Sequence, residues 1–104
     1  VKPRNVRVSD AAATDILGQA EWYEHRAGPT LAVRWERAVN SAIVRILDHP
    51  RSGSLCNFKS SELQQIRRMP IDKFAKHLVF YQLHEDEIVI LRVLHGARDL
   101  ESLF

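Results

Sequence analysis

The sequence predicts an α+β fold: a helical hairpin packed on one face of a mostly antiparallel four-stranded sheet, in the order β-α-α-β-β-β. Three observations carry that expectation. Residues 74–83 and 88–94 place apolar side chains on both alternating sets, as interior strands covered on both sides do. The four polar residues His84-Glu-Asp-Glu87 between them have the length of a hairpin loop, so these strands should be antiparallel neighbours. Two amphipathic helical stripes occupy most of the first half of the chain and meet at Gly28-Pro29.

From the N-terminus, Pro3 and the alternation Val6-Arg-Val8 predict a short edge strand over about Arg4 to Val8. Ser9 suits a helix N-cap, with Asp10 in the favourable first turn. Ala12, Ile16, Ala20, Tyr23 and Ala27 then recur at spacings of three and four, forming one helical stripe. Gly28 stops that helix and Pro29 opens the next. Leu31, Trp35, Ala38, Ala42 and Ile46 form the second stripe, widened by Val39, Ile43 and Leu47, until Pro50 ends it. So short a link makes the helices antiparallel. Asp15, Gln19, Arg26, Arg34, Arg37 and Arg45 fall on the opposite faces, where charges are ordinarily solvated, although the arginines could also meet an acidic partner. Trp22 and Trp35, both inside helical patterns, read as packing groups.

Residues 50–62 hold Pro, Gly, Asn and four Ser and read as a loop. Gln65 to Met69 reads as a strand whose pairing Pro70 limits. The two long strands follow, and Arg98 to Phe104 reads as a short helical turn or a trailing segment whose Leu100, Leu103 and Phe104 pack on the body.

With 104 residues the chain has room for one core, so residues 1–104 are expected to form a single domain. A hydrophobic share of 45% and a charged share of 27% are those of an ordinary globular protein. No apolar run approaches a membrane span and Val1-Lys-Pro-Arg-Asn lacks a signal-peptide core, so no membrane association and a cytoplasmic location are expected. Cys56, the one cysteine, has no disulfide partner and no ligand spacing, so a free thiol without a role is expected. The five histidines are scattered, which argues against a metal site. From Arg51 onward eight Lys/Arg face seven Asp/Glu, so any basic patch must come from folding. Phosphate-binding glycine loops and hydrolase elbows are absent, and no cofactor is expected.

The segment Arg92-Val-Leu-His-Gly-Ala-Arg-Asp-Leu100, preceded by the strand Lys76-His-Leu-Val-Phe-Tyr81, resembles the C-terminal signature of the RelE/ParE superfamily of bacterial toxins from type II toxin-antitoxin pairs. The resemblance implies a toxin neutralised by a cognate antitoxin. The His-Gly-Ala-Arg-Asp ending and Arg67-Arg-Met-Pro70 are closer to ParE-like members, whose target class is DNA gyrase and which act by binding a protein. The alternative is a RelE-like toxin that cleaves messenger RNA on the ribosome. Arg67, His77, Arg92 and His95 would then supply the cationic clamp and the acid–base pair. Against that alternative, the tail Glu101-Ser-Leu-Phe104 lacks the additional catalytic tyrosine or histidine that such nucleases commonly carry. A third possibility is a non-toxic protein that only binds an antitoxin.

For the ParE-like reading no catalytic residue is expected, and the candidate partner-binding residues are Arg67, Arg68, Tyr81, Arg92, His95, Arg98 and Phe104. A buried arginine needs a partner, and Asp99 is the nearby carboxylate for Arg92. His95, before Gly96, reads more simply as a hydrogen-bonding residue that locks a turn, and Tyr81 as a core residue with its hydroxyl satisfied. With helices on one face only, the sheet should leave apolar surface open for an antitoxin segment, in the groove beside the hairpin, on the open sheet face and at the tail.

Overall fold

The structure, a computed structural model, describes residues 5–96 and 100–104. Strand β1 (Asn5–Val8) leads into helices α1 (Asp10–Ala27) and α2 (Pro29–Asp48); strands β2 (Ser54–Leu55), β3 (Arg67–Ile71), β4 (Phe74–His84) and β5 (Glu87–His95) follow. Single 3-10 turns lie at Ser61–Leu63 and Glu101–Leu103. The sheet runs β1-β5-β4-β3-β2, with β1 parallel to β5 and every other pair antiparallel. The expected hairpin-on-sheet architecture is the one observed. A fifth strand of two residues lies inside the segment read as loop, and the β4–β5 turn is tighter than expected, because His84 and Glu87 already pair.

Ser9 caps α1 by accepting from the Ala12 amide at 3.0 Å, as its position just outside the apolar stripe requires. Gly28 serves both helices with φ of 89°, a backbone conformation that a Cβ disfavours. Its amide donates to the Glu24 carbonyl at 2.9 Å, closing α1, while Pro29 opens α2. Trp35, fully buried, donates from Nε1 to the Ile16 carbonyl at 3.0 Å and so pins one helix to the other.

The hairpin lies over a core of Trp35, Val39, Ile46, Val79, Tyr81, Ile88, Ile90 and Val93. Strict alternation would turn Val93 away from Ile88 and Ile90. The β4–β5 register shifts at Phe80/Tyr81, with Phe80 opposite Arg92 and Tyr81 opposite Ile90; Leu91 is the extra residue, and the phase change returns Val93 to the hairpin side.

The opposite face is covered, as apolar residues on both alternating sets and the packing of Leu100, Leu103 and Phe104 require, but it is closed further than expected. Ile66, Phe80 and Leu94 are buried there beneath Phe58, Leu63, Leu100 and Leu103. The Phe104 ring packs against Phe80 and Phe58 with centroids 5.4 and 5.5 Å apart, and the Glu101 carboxylate accepts from the Lys59 and Ser60 amides at 2.8 and 3.2 Å. The sheet face expected to lie open is therefore roofed by the chain itself. Apolar loop residues too few to form a helix still close a small core when two distant segments share it.

Candidate functional site

Parallel pairing with β1 ends at Ile90, which leaves the C-terminal half of β5 with an unpaired edge. Side chains from the start of α1 take over there. The Ser9 hydroxyl donates to the Leu91 carbonyl at 2.8 Å, and the Asp15 carboxylate accepts from the Val93 amide at 3.0 Å. Asp15 also grips Arg92 through two hydrogen bonds, Nε to Oδ2 at 2.8 Å and Nη2 to Oδ1 at 2.9 Å. Arg92 Nη1 donates further to the Leu103 carbonyl. The bonds to Asp15 hold the guanidinium charged despite its partial burial. Arg92 is thus paired, as a buried charge should be, but with Asp15, which the helical pattern had left on the solvent side; Asp99 lies outside the described residues. The guanidinium joins α1, β5 and the tail.

A second knot lies at the other side of the sheet. Tyr81 is fully buried, donates its hydroxyl to the Pro50 carbonyl at 2.8 Å and accepts from the Gly53 amide at 2.9 Å. Burial pushes its hydroxyl pKa up, against the opposing hydrogen bond from Gly53 and the nearby charge of Arg67. A Cβ at position 53 would collide with the tyrosine ring and lie 2.9 Å from the Arg68 carbonyl oxygen, so this approach needs glycine. Arg67, opposite Tyr81 in register, donates to the Arg51 and Gly53 carbonyls at 3.1 and 2.7 Å. Tyr81, a candidate contact residue, has no surface to offer as placed, and Arg67 is engaged in holding the 50–53 loop. Arg68 is exposed and opposes the effect of burial on Cys56, whose thiol is nevertheless pushed up by desolvation and hence protonated at neutral pH.

His77 and His95 stand directly opposite each other on β4 and β5, their rings edge-on with centroids 5.2 Å apart. His77 also meets Trp35 at 4.9 Å. Burial, and secondarily the neighbouring His95, lower the pKa of His77, so its ring is neutral at pH 7. Arg67, on β3 opposite Tyr81, is offset from His77 by four residues along the strand direction, about 13 Å at the usual strand rise. The cationic clamp and acid–base pair of the nuclease alternative therefore do not converge. Phe104 is partly exposed at the roofed face, and Arg98 lies outside the described residues.

The histidine pair opens into a groove of about 1020 Å³ between the C-terminal half of α1 and the start of β4, lined by Trp22, Tyr23, Phe74, Lys76, His77 and His95 among others. Its floor is a run of touching rings: Tyr23 lies 5.5 Å from Trp22, 5.9 Å from Trp35 and 5.5 Å from Phe74 between centroids. Trp22, read as a packing group, is half exposed on the rim, with the Arg26 guanidinium 4.7 Å from its ring centroid. Its position one residue off the Ala20–Tyr23 stripe was the available signal. Lys73 and Phe74 carry no site signal, because nothing local in the sequence links a β-turn to a helix face; Arg34 and Arg37, expected to be solvated or to meet an acidic partner, line a neighbouring groove with them. Arg45 is not simply solvated, since its guanidinium donates to the Pro70 carbonyl at 3.2 Å.

Among the described residues no group of three or more His, Cys, Asp or Glu side chains could hold a metal ion, and no helix is long and apolar enough to cross a membrane. The family model for the ParE toxin of type II toxin-antitoxin systems (parDE) matches residues 6–100. No curated protein sequence matches the chain. Among solved structures, a chain of the chromosomal ParDE TA system from P. aeruginosa superposes with a TM-score of 0.74 at 15% sequence identity, covering 91% of this chain and 98% of that one. At that identity the likeness is one of fold.

Proposed function

Because the chain belongs to the ParE toxin family of type II toxin-antitoxin systems, we propose that it inhibits DNA gyrase by binding it and that a cognate antitoxin neutralises it by direct contact. The observation that carries the binding mode is the commitment of the arginines. Arg92 is tied to Asp15 and Leu103, and Arg67 to the carbonyls of the 51–53 segment. A phosphorane intermediate needs cations aimed at the same point as the proton-transfer groups, and here they are spent on holding elements together. A protein-binding toxin needs only shape and charge complementarity, which the groove at Trp22 and His77 and the surrounding lysines offer.

Purified protein added to a gyrase supercoiling assay is expected to block supercoiling or to accumulate cleaved DNA complexes, while leaving messenger RNA in a translating extract intact. Cutting of that RNA, abolished by His95→Ala in a folded variant, would overturn the proposal in favour of the nuclease. Harmless expression of the lone chain in bacteria would overturn both.

A further inference from the structure

Folding gathers positive charge that the sequence scatters. Beside the 1020 Å³ groove lies a second of about 470 Å³, between α2 and the β3–β4 turn, and the two share Lys73 and Phe74. The second shares Arg34 and Arg37 with a third of about 440 Å³ at the start of α2. Arg34 and Arg37, three residues apart on one helix, are neighbours about 5–6 Å apart at Cβ. Lys73 lines the same groove as both, and Lys76 continues the row into the first groove. Among the described residues the ion pairs are Arg7 with Glu87 and Arg92 with Asp15, so none of these four cations is committed to a carboxylate. Asp72 is the one acid among the residues lining the three grooves, and no acidic residue occupies the first turn of α2. The net formal charge of the whole chain is only +2, so the remaining residues are together net negative. The positive potential is a local property of this strip.

We propose that Arg34, Arg37, Lys73 and Lys76 form a strip that holds the phosphate backbone of a DNA duplex, independently of its sequence, while the toxin engages gyrase. The inference rests on the gyrase reading above, because a protein bound to that enzyme at work lies beside the duplex the enzyme handles. The aromatic groove then meets protein, and its cationic margin meets the DNA. A duplex carries one negative charge per about 1.7 Å of its axis, so a row of cations finds phosphates at any register. Contacts of this kind position a protein without carrying sequence information, and hydroxyls add to them; Thr30 and Ser41 line the same grooves as the arginines. A single strand, by contrast, is held through open ring faces on which bases stack. Here Tyr23 is packed against three neighbouring rings, Phe74 is held edge-on to Trp35 at 5.4 Å, and Trp22 carries the Arg26 guanidinium.

The test uses the full chain and a fluorescein-labelled duplex of about 20 base pairs, followed by fluorescence anisotropy between about 50 and about 300 mM KCl. Binding is expected to be micromolar at low salt and equal for two duplexes of unrelated sequence, with log affinity falling against log salt at a slope of about −3 to −4. Arg34→Gln/Arg37→Gln and Lys73→Gln/Lys76→Gln should each weaken binding about tenfold and reduce the slope by about 2. Arg51→Gln/Lys59→Gln makes the same charge change at exposed cations that line none of the three grooves, and should leave the slope as it is. Far-UV circular dichroism confirms that each variant is folded. An equal effect of the Arg51/Lys59 pair would overturn the proposal, as would tighter binding of a single-stranded oligonucleotide, or displacement of the duplex by a glutamate-rich peptide of equal charge at lower concentration. Supercoiling inhibition by the wild-type chain reads the gyrase assignment separately. Inhibition without duplex binding sinks the strip alone; duplex binding without inhibition sinks the gyrase reading on which it rests.

Discussion

His77 sits where three influences meet: Trp35 against its ring, His95 across the ladder, and Lys76 and Lys73 around the same groove. Its pKa is lowered from the ordinary 6.5 by burial first and by His95 second. In the unfolded chain His77 takes up a proton near the ordinary value, whereas in the folded chain it does so only at lower pH. The unfolded state therefore binds more protons across that interval, and stability falls as pH drops from 6.5 through the lowered folded value. Above 6.5 this group imposes no penalty. Urea denaturation at steps between about pH 8 and about pH 5 should show a loss of unfolding free energy below 6.5 that His77→Gln reduces. Equal slopes for the two proteins would mean that His77 does not titrate differently in the folded chain. The sequence revealed that His77 and His95 were candidates, but not that they face each other, because their contact depends on the register of two strands.

At the scale of the element, the start of α1 completes the edge of β5. Ser9, the N-cap, engages the Leu91 carbonyl, and Asp15, in the second turn, engages the Val93 amide and forms an ion pair with Arg92. The side chains of the pair are 23% and 14% exposed, so water screens it only partly. Asp15→Ala removes the carboxylate from a partly buried guanidinium and leaves the Val93 amide without its acceptor. A loss of about 2–3 kcal/mol is expected, measured by urea denaturation. Arg92→Met in the same background should cost much less than it does alone, since the charge that lacked a partner is then gone. Additive losses from the two substitutions would show that the pair does not act as a unit. The helical pattern assigned Asp15 to solvent because periodicity records which side of a helix is apolar, and not which sheet edge runs alongside.

Over the whole molecule, the sheet has two unequal covers. The hairpin side is closed by long helices adjacent in sequence; the other side is closed by residues 56–66 and 100–104, brought together across some forty positions by Glu101. Long-range closure by short segments is the arrangement that opens first. Glu101→Ala should speed hydrogen exchange at the Cys56 amide, which donates to the Ile66 carbonyl, while amides in the middle of α2 keep their protection. Equal acceleration on both sides would mean that the two covers open together. This second cover also bears on where a partner can bind, for among the described residues the groove at Trp22 and Phe74 is an aromatic-lined surface left open.

Periodicity by itself determined the helices, their antiparallel pairing, the two interior strands and the mostly antiparallel sheet. Each of these follows from where apolar residues recur and where Gly28, Pro29 and Pro50 break the recurrence, which are local properties. The C-terminal motif carried the toxin likeness for the same reason, as contiguous residues. Only the tertiary structure decided the partner of Arg92, which loop the buried Tyr81 hydroxyl holds, the extent of the roof over the second face and the gathering of Arg34, Arg37, Lys73 and Lys76. Those depend on register, on one extra residue in β5 and on distances between segments far apart in the chain, none of which leaves a trace in spacing along it.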